Sequence, residues 1–259
     1  QNLHFFQNIE GYNTIQLNWG TQRAKPATLS FWVRSNVVGT YCVGLENSAT
    51  DRCCIREYTV KPGFKWQKVK LTFPGCTDGS WETTHGCGIR VRFALSSGSQ
   101  YDDGIDGEWV NTDELTTGNQ VNFMTSTNNR YFITGVQLEV GENATDFEHR
   151  PYGEEFDGCQ RYYQRYNVAF NNQRMAISGN GTLGQCYPFI WFRSQMRATP
   201  NFEYSAVGHF KVETFSNQTA DVTSMSVSER GVDGAVISTA TGGSSGVVGA
   251  NLLGKAGGT

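Results

Sequence analysis

Over the first 140 residues apolar and polar side chains alternate one for one in short runs, and no helical period of any length appears. Side chains of an extended strand point alternately to opposite faces, so this rhythm dictates strands with one core face and one wetter face. LSFWVRS (29–35) sets Leu29, Phe31 and Val33 against Ser30, Trp32 and Arg34. TYCVGLE (40–46) sets Tyr41, Val43 and Leu45 against Cys42, Gly44 and Glu46. KVKLTF (68–73) and IRVRFAL (89–95) repeat the pattern, the second with Arg90, Arg92 and Ala94 outward. FITGVQLEV (132–140) places Phe132, Thr134, Val136, Leu138 and Val140 inward, leaving Ile133, Gly135, Gln137 and Glu139 outward. Turn passages KPGFK (61–65), GCTDGS (75–80) and YDDGIDGEW (101–109) separate the strands. One-sided strands of this kind bury their apolar faces when two antiparallel sheets pack together, which predicts a jelly-roll β-sandwich over residues 1–149.

The rhythm breaks at residues 150–166, RPYGEEFDGCQRYYQRY. Pro151 followed by Glu154 and Glu155 reads as a helix start, since acidic residues suit the positive end of the helix dipole. Phe156, Cys159, Tyr162, Tyr163 and Tyr166 follow at spacings of three and four as an apolar stripe, so a short helical junction of two or three turns is expected. Alternation returns in NVAFN, RMAIS, GQCYPFIWFRSQM, NFEYSAV, HFKVETF, DVTSMSVS and GAVISTA, before a glycine- and serine-rich end at 241–259. Residues 167–259 therefore read as a smaller C-terminal β domain, and the whole chain as all-β. Aromatics at 13% and 30 glycines among 259 residues agree with that class.

Several function classes are excluded at this level. A net charge of −3 gives no general attraction to nucleic acid, and no apolar run approaches the roughly 20 residues of a membrane span. Seven cysteines, odd in number and irregular in spacing, do not form a disulfide framework and are expected as reduced, partly buried thiols; a Cys76–Cys87 loop is the lesser reading. No G-x-S-x-G, H-E-x-x-H or phosphate-cradling motif occurs, and four scattered histidines support no triad. Paired carboxylates for glycoside hydrolysis would have to come from Asp102, Asp103, Asp106, Glu108 or Glu139, which read better as turn and strand-surface residues. No enzymatic activity and no cofactor are expected. His85, Cys87 and Cys76 match no zinc spacing. Asp102, Asp103 and Asp106, in one glycine-rich loop, are the candidates for a structural calcium ion.

Carbohydrate binding fits the outward residues better. Sugars stack their apolar faces on aromatic rings while charged and amide groups fix the hydroxyls. Trp32 with Arg34, Arg90 with Arg92, and Gln137 with Glu139 would form such a surface if the register sets them on one sheet. Tyr101 and Trp109, flanking the acidic loop, are second choices. The competing reading buries Trp32 under a loop and pairs the arginines with Glu139.

The order of motifs carries a resemblance. ITGVQLEVG (133–141), ATDFEHRPYGEE (144–155) and CQRYY (159–163) resemble a junction of bacteriophage tail-fibre and receptor-binding proteins. LHFFQNIEGYNTIQLNWGT (3–21), AKPATLSFWVRSN (24–36) and WQKVKLTFPG (66–75) resemble the jelly-roll, carbohydrate-binding-module-like domain ahead of it. The match covers about residues 1–165; beyond Tyr166 only MRATPNFEY (196–204) is similar. In similar proteins the sandwich begins before the equivalent of Gln1, so its first strands and any anchoring segment are expected outside this chain.

The resemblance implies a virion protein, made in bacterial cytoplasm, that works as a homotrimer among other tail proteins. Its partner would be a host-surface polysaccharide or lipopolysaccharide. In that cytoplasm the sequons at Asn143, Asn180 and Asn217 carry no weight. Arg161, Tyr162, Tyr163, Arg165 and Tyr166 are the expected contacts between chains, because aromatics and arginine are enriched in interface cores. The alternatives are a head fibre or capsid decoration without receptor recognition, and a polysaccharide-degrading spike.

Overall fold

The computed structural model describes residues 2–166, 173–178, 185–214, 219–241 and 250–254. The chain divides into two compact units, Gln1–His149 and Arg150–Thr259. Among the described residues no helix is long and apolar enough to cross a membrane.

The first unit holds eight strands: β1 (Leu3–Glu10), β2 (Ala27–Ser35), β3 (Gly39–Glu46), β4 (Cys53–Val60), β5 (Gln67–Phe73), β6 (Cys87–Ser96), β7 (Trp109–Val110) and β8 (Tyr131–Val140). A five-stranded sheet runs β1-β6-β3-β4-β7 and a three-stranded sheet runs β5-β2-β8, every strand pairing antiparallel. The expected sandwich is present. Leu29, Phe31 and Val33 of β2 face Tyr41, Val43 and Leu45 of β3 and Ile89, Val91 and Phe93 of β6. Phe31 meets Tyr58 and Phe93 edge-on at centroid distances of 5.1 and 5.2 Å. Strands β1 and β4, LHFFQNIE and CCIREYTV, lay outside the sequence reading; neither alternates cleanly.

Two departures from the expected faces matter. On β8, Ser30 of β2 pairs with Gln137 but Trp32 pairs with Thr134, so β8 carries one extra residue. Gly135, at φ +59°, lies in this bulge. The bulge reverses the phase. Tyr131 and Ile133 pack on the core, while Phe132 and Thr134, expected inside, are exposed. Beyond the bulge Leu138 packs inward as expected, with Val136 and Val140 exposed. A fixed period of two cannot anticipate such a slip.

The second departure is that the outer face of the five-stranded sheet is not wet. The segment after β6 folds across it, and Leu115 and Tyr101 join Cys42, Ile55 and Ala94 in a satellite cluster. The Gln120 side-chain oxygen accepts from the Cys42 N–H at 2.8 Å. Glu46, expected on a wet face, is fully buried.

In the second unit α1 (Tyr152–Gln160) opens after Pro151 with Glu154 and Glu155 in its first turn, as expected. It ends before the tyrosines, so Tyr162, Tyr163 and Tyr166 follow in non-helical chain rather than along a helical stripe. The strands are β9 (Gln173–Ser178), β10 (Gln185–Cys186), β11 (Phe189–Trp191), β12 (Phe210–Thr214), β13 (Thr219–Arg230), β14 (Gly234–Thr241) and β15 (Ala250–Gly254). Their pairings run β14-β11-β9-β15-β12-β13 and return to β14, closing an antiparallel ring. ANLLG, inside the segment read as a glycine- and serine-rich end, supplies a strand between β9 and β12. NFEYSAV, expected as a strand, is a loop leading into a 3-10 turn at Val207–His209. NVAFN and the remainder of the 241–259 end, at 242–249 and 255–259, lie outside the described residues.

Candidate functional site

The two outward pairs on β2 and β6 fall on different sheets. Trp32 and Arg34 lie on the three-stranded sheet, Arg90 and Arg92 on the five-stranded one, so the single surface expected for all four does not exist. Arg92 is buried, 2.7 Å from Asp113 and 3.0 Å from Glu46, and it donates to the Glu114 carbonyl at 2.6 Å. Arg90 donates to Glu46 at 2.8 Å and to Asn8 at 3.1 Å. Burial pushes the Glu46 carboxyl up, and the Arg92 charge opposes that shift. Buried charges of this kind are matched internally, and these arginines hold the sheet together.

Three other candidates are also engaged by the fold. Trp109 packs edge-on against Trp19 at 5.1 Å and Trp81 at 5.4 Å, and its indole N–H donates to the Pro74 carbonyl at 2.9 Å. Tyr101 packs in the satellite cluster, and its carbonyl accepts from Leu115 and Thr116. Asp106 lies 3.1 Å from Arg56 and accepts from the Glu57 N–H at 2.9 Å. Among the described residues no three His, Cys, Asp or Glu side chains are placed to hold a metal together.

Gln137 and Glu139 do face outward on β8, but they grip the chain itself. The segment after β8 turns back over its own sheet. Thr28 donates to the Gly141 carbonyl at 2.7 Å, Thr72 to that of Glu142 at 3.2 Å and Lys70 to that of Ala144 at 3.4 Å. Glu139 accepts from the Thr145 N–H at 3.1 Å, and Gln137 accepts from the Glu148 N–H at 2.8 Å. Partial burial pushes the Glu139 carboxyl up, but hydrogen bonds from Gln137 and Thr145 outweigh it and hold the group below the ordinary carboxylate range. The ATDFEH passage is thus a strap across one end of the outer face.

What the strap leaves open is the candidate site. Trp32 is 40% exposed. Arg34, two residues along the same strand and so about 7 Å away, places its guanidinium 4.6 Å from the Phe64 ring, 5.1 Å from Trp66 and 4.6 Å from Phe132. Those three rings are themselves exposed, at 42%, 41% and 38%. Cation–π contacts at partly exposed sites are each worth about 0.5–1 kcal/mol, enough for Arg34 to hold the rings as one platform. Among the described residues its Nε is buried with no hydrogen-bond partner, so the ring faces are what that part of the charge meets. Phe64 holds φ +50°, a strained conformation for a bulky residue, in the turn after β4. On the other side of Trp32, a Cβ at Gly135 would lie 3.3 Å from the indole Cδ1 and 3.8 Å from Phe147. Phe64, Trp66, Phe132 and Phe147 were not singled out in the sequence. Phe132 was assigned to the wrong face by the unseen bulge, and the turn residues Phe64 and Trp66 fall in no strand period.

The expected chain–chain residues are mixed in exposure. Tyr163 is 70% exposed and Tyr162 and Arg165 are exposed, whereas Tyr166 donates to the Trp191 carbonyl at 2.8 Å beneath the Arg193 guanidinium. The Arg161 carbonyl accepts from the Arg197 N–H at 2.9 Å. Compared with protein-family models, curated proteins and solved structures, the chain matches none.

Proposed function

We propose that this chain is a virion receptor-binding protein that attaches a bacteriophage to a host-surface glycan through the Trp32–Arg34 platform. The observation that carries the reading is the platform itself: exposed indole and phenyl faces gathered around one arginine on a rigid sheet. Flat exposed rings suit the apolar faces of sugars, and the outer guanidinium nitrogens supply donors for hydroxyls. A contiguous exposed apolar patch on a sandwich marks an interaction surface. The ordered motifs of residues 3–163, which resemble those of phage tail fibres, support the setting.

The reaction class is binding rather than catalysis. Of the five carboxylates that could form a hydrolytic pair, Asp106 is engaged by Arg56 and Glu139 by Thr145. One sugar contact is weak, on the order of millimolar. Three copies in a homotrimer, and several fibres on one particle, would raise the effective affinity by roughly 10²–10⁴.

Trp32→Ala tests the proposal in whole-cell adsorption. The indole is exposed and not part of the core, so the variant keeps its melting temperature and loses adsorption. Unchanged adsorption would transfer the chain to the decoration role, with the platform serving contacts within the particle.

A further inference from the structure

We infer that the sugar taken by the Trp32 platform is an acidic one, its carboxylate or phosphate gripped by the Arg34 guanidinium while its apolar face lies on the indole. The inference rests on the reading of the platform as a glycan site, and it narrows that reading to a ligand class with Arg34 as the specificity-determining residue.

What carries it is the state of the Arg34 charge. Arg56, Arg90 and Arg92, the other arginines on strands of the sandwich, each lie within 3.1 Å of a carboxylate. The Arg34 guanidinium has neither an ion pair nor a hydrogen bond among the described residues. Phe64, Trp66 and Phe132 meet it with their rings. Rings answer the faces of a guanidinium but not its edge, where the N–H donors point in the plane. Nε is buried but the two terminal nitrogens are not, so that end of the fork is open to solvent. Its two donors match the two oxygens of a carboxylate or phosphate, and the ionised acceptor makes the stronger bond. The rings beside it displace water, which strengthens a charge–charge contact over its value in bulk solvent.

The surroundings of Trp32 fit the same ligand. Its cross-strand neighbours are Lys68 on β5 and Thr134 on β8. Thr134 is exposed and offers a hydroxyl to the sugar ring. Lys68 lies 3.9 Å from Asp146 of the strap, a carboxylate wholly in solvent, so its charge is already answered. Arg34, without a counterion beside the indole, therefore decides between an acidic and a neutral sugar.

Calorimetric titration of the full chain with trigalacturonic acid, glucose 6-phosphate and maltotriose tests the assignment, the first two separating carboxylate from phosphate. At least one acidic sugar is expected to bind about ten-fold more tightly than maltotriose, the ratio one charge-assisted pair supplies. That advantage should shrink as salt rises. Arg34→Lys keeps the charge but not the planar fork, and should weaken acidic-sugar binding about ten-fold. Asp146→Asn alters neither the rings nor Arg34. By freeing Lys68 it should tighten acidic-sugar binding about two-fold or more and leave maltotriose as it was. This second variant decides the matter if Arg34→Lys lowers the melting temperature. Trp32→Ala should abolish binding of both kinds. Equal binding of all three sugars, lost in Trp32→Ala, would overturn the acidic preference and leave the platform standing as a glycan site. Acidic-sugar binding that survives Trp32→Ala, or that Asp146→Asn fails to tighten, would overturn it as well. If no sugar binds, the inference fails, and the adsorption assay on Trp32→Ala judges the platform by itself.

Discussion

Glu46 sits without solvent exposure between Arg90 and Arg92. Removing one partner of a buried ion pair leaves a bare charge in the interior, which costs about 3–5 kcal/mol. Glu46→Ala is therefore expected to lower stability by about that amount in urea unfolding, although the alternation of TYCVGLE places Glu46 on the outward face. The cysteines divide in a similar way. All seven are free. Burial pushes Cys53 up to about 11, Cys54 to about 12 and Cys76 to about 11, and raises Cys42 and Cys186 as well. The thiolate is the reactive form, so these five should resist alkylation until the chain unfolds. Cys159 on α1 is exposed and should react first with iodoacetamide under native conditions, as peptide mass spectrometry would read. Modification of Cys54 before Cys159 would contradict the fold.

At the scale of elements, two devices shape the platform: the β8 bulge and the strap. Gly135 adopts φ +59°, where a side chain is strained and would press on the Trp32 indole. Gly135→Val is expected to shift the Trp32 fluorescence and lower the melting temperature, because a β-branched residue fits a positive φ worst. The strap has a pH dependence. Glu139 holds its proton less firmly than an unfolded carboxylate does. Its contribution is therefore complete above the ordinary value of 4.5 and lost as pH falls through the lower folded value. Hydrogen exchange at the Thr145 amide should be protected near neutrality and lose that protection in acid, ahead of the amides of β2. Protection that survives at pH 2 would show that the strap is held without the Glu139 carboxylate.

For the whole molecule, the two units differ in how much they bury. The sandwich core is continuous from Leu17 to Leu95, whereas among the described residues the main cluster of the second unit comprises Ala176, Cys186, Val212 and Val222 with four partly buried neighbours. Tyr152 at 81% exposure and Tyr163 at 70% leave large rings in solvent in a single chain. Both observations support a proposed homotrimer joined through residues after about 150. Analytical ultracentrifugation should give a trimer for the full chain, and a chain ended after His149 should sediment as a monomer with its β-sheet spectrum intact. The cut belongs after the strap, since ending at Gly141 would remove the partners of Gln137 and Glu139.

The sequence by itself determined the elements whose signals are local. Alternation marked β2, β3, β5 and β6 and their core faces, glycine and proline marked the turns, and Pro151 with its acidic first turn marked α1. It also placed Trp32 and Arg34 outward, because each is flanked by residues that must face the core. Tertiary structure decided everything that depends on which strand lies beside which. Arg90 and Arg92 share the outward parity of Trp32 but belong to the opposite sheet, and parity carries no sheet identity. The covering segment at 98–121 turned a wet face into an interior, and with it Glu46 into a buried anion. One extra residue at the bulge exchanged Phe132 for Ile133, and only pairing with β2 reveals it. The ring of the second unit closes through ANLLG, a strand whose register is supplied by its neighbours β9 and β12 and not by any alternation of its own.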